Sequence, residues 1–241
     1  MLIIKSLVEA LCQLLILTVF FVCIKPWNKA NNAVKFFLLF CLLYLIEVIL
    51  LQNVKIPFPY NLQKNWSGKM ASLCWALIFI FTNKVLAKQD IGWTFKIANK
   101  KVVFLSIGIL LFVQILLKTL VLGGNGQFCD LETFFYQATM PGFAEEIVYR
   151  GIFLGLLNKI FLSKWTFLSV TFGWGLILSS ILFGLAHGLY FDKTWIVHFD
   201  FPIFIQTFFM GIIFGILKEK SKSLIPSIIY HNLSNLVIMC K

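Results

Sequence analysis

Residues 141–162 read PGFAEEIVYRGIFLGLLNKIFL. The run is continuous in its apolar residues, with no alternation, so it reads as a helix. It is also as long as a membrane crossing, which takes about 20 residues. Yet it carries Glu145, Glu146 and Arg150. A charge at the bilayer centre costs about 2.5–3.5 kcal/mol on insertion scales, so three of them call for a reason. The chain has twenty lysines and one arginine, and the arginine is Arg150. On a helix, Glu146 and Arg150 are four apart and share a face. The planar guanidinium suits a carboxylate better than an ammonium does, so a pair, up to bidentate, is expected. Glu145 lies about 100° further round and has no partner in its own helix.

The rest of the chain supports a membrane reading. Of 241 residues, 60% are hydrophobic and 13% charged, against about half and one quarter for a soluble domain. Apolar runs fall at 6–24, 36–51, 71–87, 102–121, 141–162, 165–187, 201–217 and 223–240. Only helices or closed barrels satisfy the backbone in lipid. The expectation is an all-α polytopic protein of about eight transmembrane helices in the cell membrane, with the polar clusters that call for a reason in the last four. Residues 1–129 form the N-terminal helices and 130–241 the core. The first run resembles a signal peptide but lacks an A-x-A-like cleavage site, so it reads as a retained span. "DLETFFYQATM" (130–140) reads as a short amphipathic helix, with Pro141 opening the next span. Pro226 can open the last one in the same way. The stretch "GGNGQFCD" (123–130) breaks helix.

The net charge of +11 does not point to nucleic acid, because the lysines cluster at the ends of apolar runs, where they reach the headgroups. Six cysteines, at 12, 23, 41, 74, 129 and 240, are scattered without a CxxC pair. They read as small hydrophobes, with neither a disulfide framework nor a cysteine zinc site.

Two further polar clusters stand in apolar surroundings. "FGLAHG" places Phe183 one turn before His187. "HNLSN" places His231 and Asn235 on one helical face, with Asn232 pointing away. Glu9, Glu47, Gln114 and Gln206 are single and read as structural, with Lys5 within reach of Glu9. His198 reads as a loop residue. Together the clusters allow amide hydrolysis. Glu145 would activate water as general base. His231 and Asn235 would stabilise the oxyanion, and His187 would orient the water or Glu145. A zinc version would use Glu145, His187 and His231 as ligands with an open fourth position. Cofactor dependence, none or zinc, stays open at this point, since there is no H-E-x-x-H.

The motifs EEIVYR (145–150), FGLAH (183–187) and HNLSN (231–235), in this order, resemble the CAAX-protease and bacteriocin-processing (Abi) family of intramembrane proteases. The resemblance covers about residues 130–240. It implies an all-α membrane core, peptide-bond hydrolysis, Glu145 as the catalytic glutamate, and Glu146 and Arg150 in support. It implies a peptide or protein substrate reached from the membrane. The size and lysine-rich composition resemble the bacterial members associated with bacteriocin maturation or self-immunity. A non-catalytic membrane immunity protein that binds a peptide in the same cavity is the alternative. A proton-coupled transporter would need a repeated hydropathy pattern, which the sequence lacks.

Loops after the odd-numbered spans carry 13 lysines, and the opposite side, with both termini, carries 7. The positive-inside rule then puts both termini outside and the motif residues nearer the outer face. The prenyl-protein members of the family work toward the cytosol. The sequence reading favours a miscounted span over an outward-facing site.

Overall fold

The computed structural model describes residues 2–24, 32–57, 62–122, 129–167 and 169–239. In chain order these form α1 (Leu2–Cys23), α2 (Asn32–Asn53), α3 (Trp66–Thr82), the short α4 (Lys88–Ile91), α5 (Lys100–Leu122) and α6 (Leu131–Glu146). Then come a π-helical segment (Ile147–Phe153), α7 (Leu154–Ile160), the hairpin β1 (Lys164–Phe167) and β2 (Val170–Gly173), and α8 (Trp174–Gly188). The hairpin β3 (Leu189–Phe191) and β4 (Val197–Phe199), α9 (Phe201–Ser221) and α10 (Ile225–Met239) complete the chain. Helices α1, α2, α5 and α9 are long and apolar enough to cross a membrane, and α3 and α8 are apolar but shorter. The protein is a mostly helical membrane protein, with four helices of spanning length against the eight expected. The stretch 123–128 and Cys240 lie outside the described residues.

Several boundaries differ from the sequence reading, each for a local reason. Pro141 does not open a helix. It lies inside α6, which begins at Leu131 under an Asp130 cap that accepts from Thr133 N. A proline inside a helix lacks the backbone donor, which leaves the carbonyl four residues earlier, that of Gln137, without its helical partner. Here α10 comes against the same turn, and Asn232 Oδ1 accepts from Gly142 N at 2.7 Å. A Cβ at Gly142 would come within 2.7 Å of the Ile228 carbonyl, so glycine is what permits this approach. Asn232, read as pointing away from the His231–Asn235 face, thus links the helix of the glutamates to the helix of His231.

The run 165–187 is not one helix. Its first part turns back as the antiparallel pair β1–β2, with Thr166 opposite Thr171. Ser169 in the turn has φ 61°, and Val, Thr and aromatic side chains favour the flanking strands. A second hairpin places His198 opposite Tyr190, and His198 Nε2 meets Asp192 Oδ2 at 3.0 Å. The expectation of a purely α-helical chain is corrected by these two short hairpins. Cys129 is disulfide-bonded, against the expectation of no disulfide, while Cys12, Cys23, Cys41 and Cys74 are free. Linear spacing carries no record of which cysteines the fold brings together.

The N-terminal helices brace the C-terminal ones. Phe40 and Tyr44 of α2 pack edge-on against Phe153, at 5.2 and 5.8 Å between ring centroids. Gln13 of α1 donates to the carbonyls of Leu185 and Leu189, both at 3.2 Å, and accepts from Tyr44. This ties α1 to the end of α8 that carries His187. Glu47, read as single, accepts from Trp75 Nε1 at 2.6 Å and from Ser72 Oγ at 2.8 Å. Glu9 has Lys5 at 3.7 Å, as the i,i+4 spacing suggested, and also accepts from Phe191 N at 2.9 Å.

Replacing Asn232 with Ala would strand the buried Gly142 N–H beside Pro141. The expected loss is about 1–3 kcal/mol, the cost of an unsatisfied buried donor. It would be read as a lower thermal midpoint of the purified protein in detergent. An unchanged midpoint would show that the α6–α10 contact does not depend on this bond.

Candidate active site

The site is built on the junction of α6 with the π-helical segment. A π-helical segment closes its hydrogen bonds from i to i+5 and is often found at functional sites. It directly follows Glu146 and carries Arg150. All three charges are deeply buried, with Glu146 and Arg150 at 0% exposure. Arg150 Nε lies 3.4 Å from Glu146 Oε2, an ion pair with one contact. The bidentate fork expected from the sequence does not form. Among the described residues no hydrogen bond reaches the three guanidinium nitrogens. Instead the guanidinium carbon lies 4.5 Å from the centre of the Phe183 ring and 5.4 Å from that of Phe214. A cation over aromatic faces is attracted by the ring quadrupole, more so when desolvated. The FGLAH motif therefore contributes its phenylalanine as a platform for Arg150. Gly211 keeps room for it, since a Cβ there would stand 3.1 Å from Nη2.

Glu145 is not alone, as its own helix implied. Lys69, from the first turn of α3, forms a salt bridge with Glu145 Oε1. Lys69 is itself buried, at 8% exposure. The other carboxylate oxygen, Oε2, is buried and accepts no hydrogen bond among the described residues. It faces His231 Nε2 at 3.8 Å. The opposite ring nitrogen, Nδ1, lies 2.8 Å from Glu146 Oε1. An ionised carboxylate only accepts, so Nδ1 donates to Glu146 and Nε2 is the ring nitrogen turned toward Glu145. The imidazole is held flat against Phe214, at 4.5 Å and 9°. Two carboxylates and two cations thus form one buried group that is neutral in sum, with His231 between the carboxylates.

A cavity of about 400 Å³ opens on this group. Glu145, His187, His231 and Asn235 all line it, together with Lys69 and Tyr136. His187 donates through Nδ1 to the Phe183 carbonyl at 2.8 Å, which leaves Nε2 as its free ring nitrogen. Asn235 Nδ2 donates to Gln137 Oε1 at 3.1 Å, which uses one of its two amide hydrogens. Gln206, read as structural, also lines the cavity.

Lys69, Tyr136, Gln137 and Asn232 were missed by sequence reasoning. Lys69 falls among the lysines read as sitting at the ends of apolar runs and reaching the headgroups. Its signal was a lysine at the head of an apolar helix that runs on without another charge to Thr82. The zinc ligand set of Glu145, His187 and His231 keeps one donor atom each on the cavity side, Glu145 Oε2 and the two Nε2 nitrogens, with Nδ1 of His231 held by the Glu146 carboxylate as a ligating histidine commonly is. Against it, the Lys69 ammonium already holds the other oxygen of Glu145. Among the described residues no three His, Cys, Asp or Glu side chains group as a metal site.

Residues 129–237 match the family described as type II CAAX prenyl endopeptidase Rce1-like. The matched segment contains α6 through most of α10, and so all three motifs. No curated protein and no solved structure matches the chain.

Removing the arginine tests the buried pair. Arg150→Ala would leave Glu146 charged without its cation, at a cost of about 3–5 kcal/mol. Arg150→Lys keeps the charge but loses the flat contact with Phe183, so its thermal midpoint should fall between wild type and Arg150→Ala. Equal midpoints for all three proteins would show that the pair contributes nothing to stability.

Proposed function

We propose that this chain, whose residues 129–237 match the Rce1-like type II CAAX prenyl endopeptidase family, is an intramembrane endopeptidase that uses Glu145 to activate water. The observation that carries the reading is Glu145 Oε2. It is a buried carboxylate oxygen without a hydrogen-bond partner, on a cavity wall, 3.8 Å from His231 Nε2. A water bridging the two atoms at ordinary hydrogen-bond distances fits across that gap.

The chemistry follows from the donors and acceptors present. The water oxygen attacks the scissile carbonyl carbon as its proton passes to Glu145. The carbonyl π electrons move onto oxygen, and the second amide hydrogen of Asn235 is available to that oxyanion. When the tetrahedral intermediate collapses, the C–N bond breaks and Glu145 returns the proton to the departing amine. His231, hydrogen-bonded to Glu146, orients the water and stabilises the protonated state between the two carboxylates. Lys69 holds Glu145 in place through Oε1, leaving Oε2 for the reaction. His187 borders the same cavity and positions the substrate or the water. The cycle is metal-independent in this form.

The substrate class is a peptide, and the setting we favour is the maturation of a bacteriocin or protection against one. The second reading is a non-catalytic immunity protein that binds such a peptide in the cavity. The Lys69–Glu145 salt bridge favours it, because an ammonium on a carboxylate weakens that carboxylate as a base.

Glu145→Gln separates the two. The amide keeps the shape but cannot take a proton, so peptide hydrolysis should fall by about 10²–10⁴-fold while the protein still inserts and folds. Asn235→Ala should cost about 10²–10³-fold if its amide serves the oxyanion. Chelator treatment should leave the wild-type rate unchanged. The readout is mass spectrometry of peptides from membranes carrying wild type or variant. Identical peptide profiles for wild type and Glu145→Gln would remove the enzymatic reading.

A further inference from the structure

The contacts at the helix ends divide the protein into two faces. On one face, Asn53 at the end of α2 donates to Ser6 at the start of α1. Glu132 at the start of α6 accepts from Lys64 N and from Trp66 Nε1 at the start of α3. The β3–β4 hairpin joins the same face through Phe191 N and Glu9. On the other face, Ala98 N before α5 donates to Ser221 O at the end of α9. Lys159 at the end of α7 pairs with Asp90 of α4 at 2.9 Å. Lys220 reaches Ser169 in the β1–β2 hairpin. This alternation runs through the described helices without a misplaced crossing.

The cavity belongs to the first face. Its lining begins near that face with Ile203 and Gln206 of α9, Ile238 of α10 and His187 of α8, and runs inward through Pro141 and His231 to Glu145 and Phe214. Lys69 is the fourth residue of α3, Gln206 lies in the second turn of α9, and His187 is next to last in α8.

The two faces differ in charge. The second carries five lysines between Lys84 and Lys101 and three between Lys218 and Lys222. Among the described residues the first carries Lys5, Lys55, Lys64, Lys69, Lys118 and Lys193, while the second also has Lys35, Lys159 and Lys164. An excess of lysine marks the cytoplasmic side. A second observation, independent of charge, agrees. Cys129, next to the Asp130 cap of α6 on the first face, is disulfide-bonded. Disulfides persist in oxidising compartments and are rare where cytosolic thiol buffers reach.

We infer that the catalytic cavity opens to the extracytoplasmic face, so that the peptide it takes is one that reaches it from outside the cell. The charge rule pointed this way in the sequence, and the structure removes the need for a miscounted span. The word substrate rests on the peptidase reading, whereas the direction of the opening does not. An outward site suits a secreted or incoming peptide and cannot meet a chain that stays in the cytosol.

The test is thiol labelling of full-length single-cysteine additions in intact spheroplasts, with a membrane-impermeant maleimide and wild type as the blank. Lys193→Cys reports the first face, Thr166→Cys the second, and Gln206→Cys the cavity itself. The expected result is labelling of Lys193→Cys and Gln206→Cys before lysis, and of Thr166→Cys only after permeabilisation. Labelling of Thr166→Cys in intact spheroplasts would overturn the orientation, as would failure of Lys193→Cys to label there. Labelling of Lys193→Cys without Gln206→Cys would overturn the outward opening. None of these outcomes depends on catalysis, so a failure of the peptidase reading would be seen separately.

Discussion

Two adjacent carboxylates buried in an apolar helix are the constraint around which this protein is arranged. Neither can stay ionised there without a counter-charge. Arg150 supplies one from the next turn of the same helix. Lys69 supplies the other from α3, 76 residues away in sequence. His231, from the last helix, lies between the two carboxylates and is the element that couples them. The result is a group that is neutral in sum yet keeps one carboxylate oxygen and one imidazole nitrogen open to a cavity.

The surrounding helices are fixed by what this group needs. The π-helical segment turns Arg150 out of a simple i,i+4 fork and lays it on Phe183. Gly142 lets α10 approach α6 closely enough for Asn232 to bond its backbone, which sets the position of His231 one residue earlier in α10. Gln13 and Tyr44 hold the end of α8, and with it His187. A candidate site drawn from α3, α6, α8 and α10 therefore depends on the N-terminal helices as supports. One of them, α3, also contributes a charge to the site.

What the sequence revealed followed helical periodicity. The 145–150, 183–187 and 231–235 motifs were legible because residues three or four apart share a face, and each motif supplies a side chain to the cavity or to the pair behind it. The resemblance to CAAX proteases was legible for the same reason, and the match over 129–237 agrees with it. What the sequence hid was long-range. Nothing near Lys69 announces Glu145, and nothing near Asn232 announces the backbone of Gly142. The fork between Arg150 and Glu146 failed because that inference assumed a regular α-helix where the backbone widens. The hairpins at 164–173 and 189–199 were hidden in apolar runs whose β-branched and aromatic residues serve a helix in lipid as well as a strand. The disulfide at Cys129 was invisible because pairing is a property of the fold.

The central claim is that Lys69 and Glu145 form one energetic unit on which the site's charge balance rests. A double-mutant cycle measures it directly, using Lys69→Met, Glu145→Gln and the two together, with thermal or denaturant unfolding of each purified protein in the same detergent. Each single change leaves a buried charge without its partner, and the double change removes both. The account predicts a double variant more stable than the sum of the two losses implies, by about 0.5–3 kcal/mol of coupling. Losses that add within about 0.5 kcal/mol would contradict it, because contacting residues that act as a unit do not add.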